Sequence, residues 1–305
     1  MNRFWSILIG LLGLLTITTL SYFLYKNTKE LEHYNKGGSE VLTNYMRLQK
    51  KYDALNKTKD LRQVIISTKT ADSKNIQIGN IINEYSKKID GDISIYYKNL
   101  TTDESVVVDP DKKYYMASLY KVILTLFLLD EVAKGNTTLD AQVGTSSAKL
   151  SLALEKIITE SDNEYAEQLA DEYGWQTIEN KMKEKLGIEF SFSEELETST
   201  KNIGALFEDI AMALNIEEAE SDYMLKLLQD QRLTSKLPKY LPSTVRTHNK
   251  TGELEEYSHD AGIFYTPKAN YILVFMSKTP LPGETNEQMA LMSKEIYELL
   301  NVNSK

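Results

Sequence analysis

The sequence predicts a mixed α/β (α+β) fold, with a sheet built from strands at both ends of the main body and helices covering it. Three observations carry that expectation. Short runs rich in β-branched and aromatic residues stand near the start of the body, at 92–97 and 105–108, and again near its end, at 243–250, 261–266 and 271–277. The stretch between them, from Tyr115 to about Leu228, reads as mainly helical. A helix ending near Lys88 precedes the first strands, and another, roughly Glu284 to Leu300, follows the last. A sheet in this order must be completed by segments distant in sequence.

Composition bounds the rest. The chain has 305 residues, 42% of them apolar, which suffices for a sizeable core and excludes whole-chain disorder. Cysteine is absent, which excludes disulfides, thiol nucleophiles, thiolate metal sites and a lipidated cysteine anchor; three histidines are too few for His-rich metal chemistry. No metal or organic cofactor is expected. The net charge of −9 is uneven: residues 26–74 hold 11 Lys and Arg against 6 Asp and Glu, while residues 75–305 hold 23 against 38. An acidic body argues against nucleic acid as a partner.

Taken in order, the elements begin with an anchor. Phe4 to Tyr25 is a run of 22 uncharged residues. As a helix it would span roughly 33 Å, about one hydrocarbon core. The run exits through Leu20-Ser21-Tyr22-Phe23-Leu24-Tyr25 with no small-x-small cleavage site, so residues 1–25 are expected to remain as a transmembrane helix. Residues 26–73 are expected to form a polar stalk, with Gly37-Gly38 as a joint and Val41, Tyr45, Leu48, Tyr52 and Leu55 as a short heptad-like stripe. Two heptads assign no oligomeric state. Ser73 is a candidate N-cap at the entry to a body spanning 74–305.

In the body, Ile76, Ile78, Ile81, Ile82 and Tyr85 predict a first helix, followed by a strand, the polar turn Asn99 to Asp103 and a returning strand. The helix that begins at Ala117-Ser118-Leu119-Tyr120-Lys121 and runs through Val122 to Leu129 is apolar on every side, so it is expected to be buried, closing at Lys134-Gly135. In its first turn Ser118 and Lys121, at i and i+3, face the same way. A lysine buried beside other cations can lose its proton and act as a base toward a serine hydroxyl, while a helix N-terminus offers N–H donors to a developing negative charge. A simple helix cap and a lysine reaching out to solvent would give the same pair. Ser146 and Lys149 repeat the spacing, but no all-round apolar helix follows them directly and they lie close to Ser161.

Two further tripeptides change the reading. Ser161-Asp162-Asn163 sits at a turn between helical segments, and Lys250-Thr251-Gly252 ends a strand candidate before the turn-like Glu253-Leu254-Glu255-Glu256. Each alone is weak. In this order, S-x-x-K, S-D-N and K-T-G form the three-part signature of penicillin-interacting serine enzymes.

On these motifs the chain resembles the class A serine β-lactamases and their penicillin-binding relatives, from about Asn75 to Asn301. Leu186-Gly187-Ile188, Glu197-Thr198-Ser199-Thr200, Arg232 to Pro238 and His259-Asp260-Ala261-Gly262-Ile263 add supporting pattern. The resemblance implies a mainly antiparallel sheet flanked by terminal helices beside an all-helical region, with the active site between them. It implies Ser118 as the acylated nucleophile, Lys121 as its base and Ser161 as a proton shuttle toward the leaving nitrogen. Asn163 would bind the substrate amide and the lysine; Lys250 and Thr251, with Gly252 beside them, would bind the substrate carboxylate. The backbone N–H groups of Ser118 and Glu253 would form the oxyanion hole. The implied partner is a β-lactam or a cell-wall peptide. Such molecules lie outside the cytoplasm, which places the body outside, against the weak inward bias of Lys26, Lys29 and Lys36 over Arg3.

Two features depart from the family. The loop glutamate that holds the deacylating water is not recognisable between Asn163 and Thr198, where Glu194, Glu195 and Glu197 read as surface or anchoring carboxylates. No arginine stands between Gly252 and Gly262 to supply a second carboxylate-binding cation. The sequence therefore leaves open a serine hydrolase of doubtful turnover, a D-alanyl-D-alanine peptidase that deacylates slowly with penicillins, and a non-catalytic cell-wall-sensing module.

Overall fold

The computed structural model describes residues 63–67, 74–144, 147–192 and 195–301. The chain enters through strand β1 (Val64–Ser67), helix α1 (Lys74–Lys88) and strands β2 (Asp92–Asn99), β3 (Ser105–Val108) and β4 (Lys113–Tyr115). A single 3-10 turn, Ala117–Leu119, leads into α2 (Tyr120–Ala133), followed by α3 (Leu150–Thr159), α4 (Asn163–Tyr173) and α5 (Trp175–Leu186). Next come β5 (Glu197–Ser199), α6 (Thr200–Met212) and α7 (Glu218–Gln229), before β6 (Arg246–Leu254), β7 (Tyr257–Tyr265), β8 (Asn270–Lys278) and α8 (Pro282–Asn301).

Six strands form one antiparallel sheet in the order β1-β3-β2-β8-β7-β6, so the strands from the two ends of the body meet where β2 pairs β8. The expected sheet flanked by helices beside a helical region is present. The centre of the sheet explains its own sequence. Tyr271, Leu273 and Phe275 of β8 join the core beneath α1 and α8, whereas Ile272, Val274 and Met276 join the core of the helical region. A strand covered on both faces has no polar side, so the period-two alternation disappears into one apolar run. On the first face α1 supplies Ile78, Ile82 and Tyr85, and α8 supplies Met289, Met292 and Ile296. On the second, α2 is buried without interruption from Tyr120 to Glu131. Its two buried carboxylates are paired, Asp130 with Lys134 and Lys185, and Glu131 with Lys181. Unpaired, they would cost several kcal/mol each.

Three expectations about elements are corrected. Residues 64–67 were assigned to the stalk, yet they pair with β3 from Val64 opposite Val108 to Ser67 opposite Ser105. The alternation at Val64 and Ile66 is too short to read as a strand until β3 supplies the partner edge. Within the segment expected to be helical, β5 is a strand, pairing in a three-residue ladder with β4 at that segment's leading edge. The third concerns Lys250-Thr251-Gly252, which lies inside β6 rather than at its end, because Glu253 and Leu254 continue the ladder opposite Ser258 and Tyr257. The hairpin turns at Glu255, whose φ of 49° puts a non-glycine residue in the left-handed region, so no Gly or Asn marks the turn. Among the described residues no helix is long and apolar enough to cross a membrane. The uncharged run Phe4 to Tyr25, the heptad-like stripe and Ser73 lie outside the described residues.

Candidate active site

The candidate site forms where the 3-10 turn and first residues of α2, the connection from α3 to α4, and β6 come together. Ser118 stands in the middle of the 3-10 turn, half-buried. Three contacts fix that turn. The Met116 N–H donates to the Leu196 carbonyl at 2.7 Å, just before β5. His259 of β7 lies 2.8 Å from the Tyr115 carbonyl through Nε2, while its Nδ1 accepts the Ser277 N–H at 3.1 Å. With Nδ1 accepting, Nε2 carries the proton and donates to Tyr115. Burial pushes His259 down to about 4, so at neutral pH it is an uncharged connector. The third contact is Gly252, where an added Cβ would lie 3.0 Å from the Met116 carbonyl oxygen. The absence of a side chain lets β6 approach the turn. Ala117 takes up the strain of this placement, with a φ of 46°.

Lys121, one helical turn beyond Ser118, is 0% exposed. Its ammonium donates to the Ser161 carbonyl at 2.7 Å and to Asn163 Oδ1 at 2.5 Å, with Ser161 Oγ at 3.4 Å. These bonds run to Ser161 and Asn163 rather than to Ser118. Burial pushes Lys121 down to about 8, opposed by the carboxylates of Asp162 and Glu167. Ser161 can present its carbonyl to one lysine and its hydroxyl to another because its φ is 60°, a reversed backbone. Asp162, not Ser161, caps α4, accepting the Tyr165 N–H at 3.0 Å.

Lys250, also 0% exposed, donates to Ser161 Oγ at 2.8 Å and to its neighbour Thr251's carbonyl at 2.9 Å. Burial, with the charges of Lys121 and Lys236 nearby, holds it well below the ordinary lysine range. Thr251 and Gly252 follow on the same strand, both buried, and Glu253 is exposed at its end. Lys121, Ser161, Asn163 and Lys250 thus share one hydrogen-bonded cluster, with Ser118 one turn before Lys121 in the 3-10 turn that leads into α2. Ser146 lies outside the described residues.

A third buried lysine was not foreseen. Lys236, 2% exposed, donates to the Gly252 carbonyl at 3.2 Å and the His259 carbonyl at 3.1 Å, across the β6–β7 ladder. Burial lowers its pKa as well. Beside it Asp260, pushed up to about 6 by burial, accepts from Asn249 Nδ2 at 3.0 Å and from the Leu237 N–H at 2.9 Å. The segments containing Lys236 and Asp260 were visible in the sequence, but nothing there assigned them a role. The signal available was a lysine two residues before a proline, in a chain whose K-T-G strand needs support. Chemically, the arrangement offers a hydroxyl in a strained turn at a helix N-terminus, an amine that gives up its proton near neutral pH, and a second cation on a strand beside it.

The sequence model of the Beta-lactamase enzyme family matches residues 74–300. No curated protein matches the chain. Among solved structures, a β-lactamase from Chitinophaga pinensis DSM 2588 aligns with a TM-score of 0.69 at 18% identity, covering 74% of this chain and 100% of that one. PBP-A aligns at 0.65 and 21% identity, covering 72% of this chain and 94% of that one. A class A β-lactamase from Bacteroides cellulosilyticus DSM 14838 aligns at 0.66 and 20% identity, covering 75% and 98%. A further similar structure is a PBP-A variant as an acyl-enzyme complex with penicillin G. These likenesses establish the fold, and the match over residues 74–300 establishes that the chain belongs to the β-lactamase enzyme family.

Proposed function

We propose that this chain is a membrane-anchored serine hydrolase that forms an acyl-enzyme with β-lactams through Ser118. The observation that carries the reading is the convergence of two fully buried lysines, Lys121 and Lys250, on Ser161, with Lys121 one helical turn from Ser118. A lysine with a pKa of about 8 is unprotonated in about one-tenth of molecules at pH 7, against roughly 0.03% at the ordinary value. That neutral amine takes the proton of Ser118 Oγ as the oxygen adds to the lactam carbonyl. The backbone N–H groups of Ser118 and Glu253 receive the oxyanion; losing one such donor typically costs roughly 10²–10³ in rate. The C–N bond then breaks, and Ser161 passes a proton to the departing nitrogen, leaving an ester on Ser118. Lys250 and Thr251 bind the substrate carboxylate, and Asn163 its amide. The uncharged run Phe4 to Tyr25 supports an anchor, with the body outside the cytoplasm where these substrates occur.

A second reading, a peptidase acting on D-alanyl-D-alanine cell-wall peptides, is favoured by one observation. The connection between α5 and β5 is confined to residues 187–196, with no recognisable hydrolytic glutamate. Intact-protein mass spectrometry of the full-length chain with penicillin G tests acylation in either case. Ser118→Ala should abolish labelling and leave the melting temperature nearly unchanged, since no side-chain cap bond is lost at that turn. Ser146→Ala should label normally. Labelling that survives Ser118→Ala refutes the assignment.

A further inference from the structure

The 3-10 turn that carries Ser118 is held by His259 and Gly252, and also by the connection between α5 and β5. That connection reaches the turn twice. The Leu196 carbonyl accepts the Met116 N–H at 2.7 Å, just before Ser118 in sequence. Just after it, the Phe192 ring lies edge-on to Tyr120 with centroids 6.1 Å apart. A group that fixes the connection therefore bears on the nucleophile from both directions along the chain.

Glu179, on α5, is tied to that connection. It is buried, and its Oε2 accepts the Phe192 N–H at 2.8 Å in a bond that is itself buried. Its Oε1 accepts from Lys183, one turn along the helix, at 2.8 Å. Phe192 is buried too, with the Trp175 and Phe190 rings 5.8 and 4.9 Å away. Beside it a short ladder carries the register on to Leu196: the Ser191 N–H donates to the Glu197 carbonyl at 2.8 Å, and Phe190 bridges to Thr198. The buried carboxylates of α2, Asp130 and Glu131, accept from lysine and asparagine side chains. Glu179 instead commits one oxygen to a backbone N–H of a segment that touches the nucleophile turn. Burying a carboxylate is costly unless its oxygens are satisfied, and a leucine would fill the same place without that cost.

We propose that Glu179 is a positioning residue for acylation: by holding Phe192 it fixes Tyr120 and Leu196, and through them the approach of Ser118 Oγ to the lactam carbonyl. The inference rests on Ser118 being the acylated residue. Glu179 acts through Phe192 and takes no part in bond making or proton transfer. A misplacement of about 1 Å at the reacting atoms can cost roughly 10²-fold in rate. Lys250 and Thr251, which bind the substrate carboxylate, stand on β6, so binding before acylation is spared. The role needs an acceptor oxygen at the right reach rather than a charge. Gln supplies that oxygen; Leu has none, and the shorter Asp draws it back from the Phe192 N–H.

The test measures two quantities for the penicillin G adduct, by quenched intact-protein mass spectrometry of the full-length chain: the limiting acylation rate and the penicillin concentration that gives half of it. The variants are Glu179→Leu, Glu179→Asp, Glu179→Gln and Glu131→Leu. Glu131 is a buried, lysine-paired carboxylate near the far end of α2. Glu179→Leu and Glu179→Asp should lower the limiting rate by roughly 10- to 100-fold at an unchanged half-maximal concentration, and Glu179→Gln should acylate like the parent. Glu131→Leu should melt lower yet keep the parent's rate, which separates positioning from a general loss of stability. If Glu179→Leu does not fold, Glu179→Asp answers the same question. Parent-like limiting rates in Glu179→Leu and Glu179→Asp overturn the inference while leaving the Ser118 reading intact. So does an equal loss in Glu179→Gln or Glu131→Leu, or a change confined to the half-maximal concentration. A parent that neither forms an adduct nor consumes penicillin overturns the Ser118 reading, and this inference with it.

Discussion

Lys121 sits where burial and two carboxylates compete, and that competition sets a pH dependence. Burial favours the neutral amine; Asp162 and Glu167 favour the ammonium. On the proposed mechanism the amine accepts the serine proton, so the acylation rate should rise with pH, reach half its limit near pH 8 and level off above that. Asp162→Asn removes a carboxylate that holds the proton on, so the rising limb should move to lower pH. Asn caps a helix about as well as Asp, so α4 should stay capped. Acylation rates across the pH range, read by mass spectrometry, check this, and a limb that stays or moves upward contradicts it. At this scale the motifs made Lys121 and Lys250 legible before the fold was known. Lys236 was not, because its burial depends on the Gly252 and His259 carbonyls meeting across a ladder.

Among the elements, β1 makes the most direct demand. Val64 and Ile66 are half-buried and pack against the core beneath α1 and α8. The strand also holds the outer edge of β3 over residues 105–108. Two half-buried aliphatic side chains are worth roughly 1 kcal/mol each. A chain beginning at residue 63 should therefore melt higher than one beginning at residue 74, by about 2–3 kcal/mol of stability. Equal denaturation midpoints for the two would show that β1 contributes nothing. The longer elements were legible because their patterns are self-contained, as in the unbroken apolar run of α2 or the seven-residue strand signal of β8. The short ones were not. Strands β1, β4 and β5 hold three or four residues each, and only their partners distinguish them from loop. The end of β6 was misplaced for a related reason, since charged Glu253, Glu255 and Glu256 mask a hairpin that turns without glycine.

For the whole molecule, the site exists only when both ends of the body have joined. Tyr115 and His259, which fix the Ser118 turn, are 144 residues apart in sequence, and Lys250 reaches Ser161 across 89. The sheet order brings them together, because β7 and β6 stack outward from the β2–β8 seam and carry His259 and Lys250 to the turn. Acylation therefore reports on the entire fold as well as on one hydroxyl. The most direct test is the location of the penicillin G adduct. Trypsin cutting after Lys113 and Lys121 releases the peptide 114–121, in which Ser118 is the sole serine and no threonine occurs. The adduct should be found on that peptide, on Ser118. An adduct on the peptide 135–149, which contains Ser146, or on any other peptide would contradict the account.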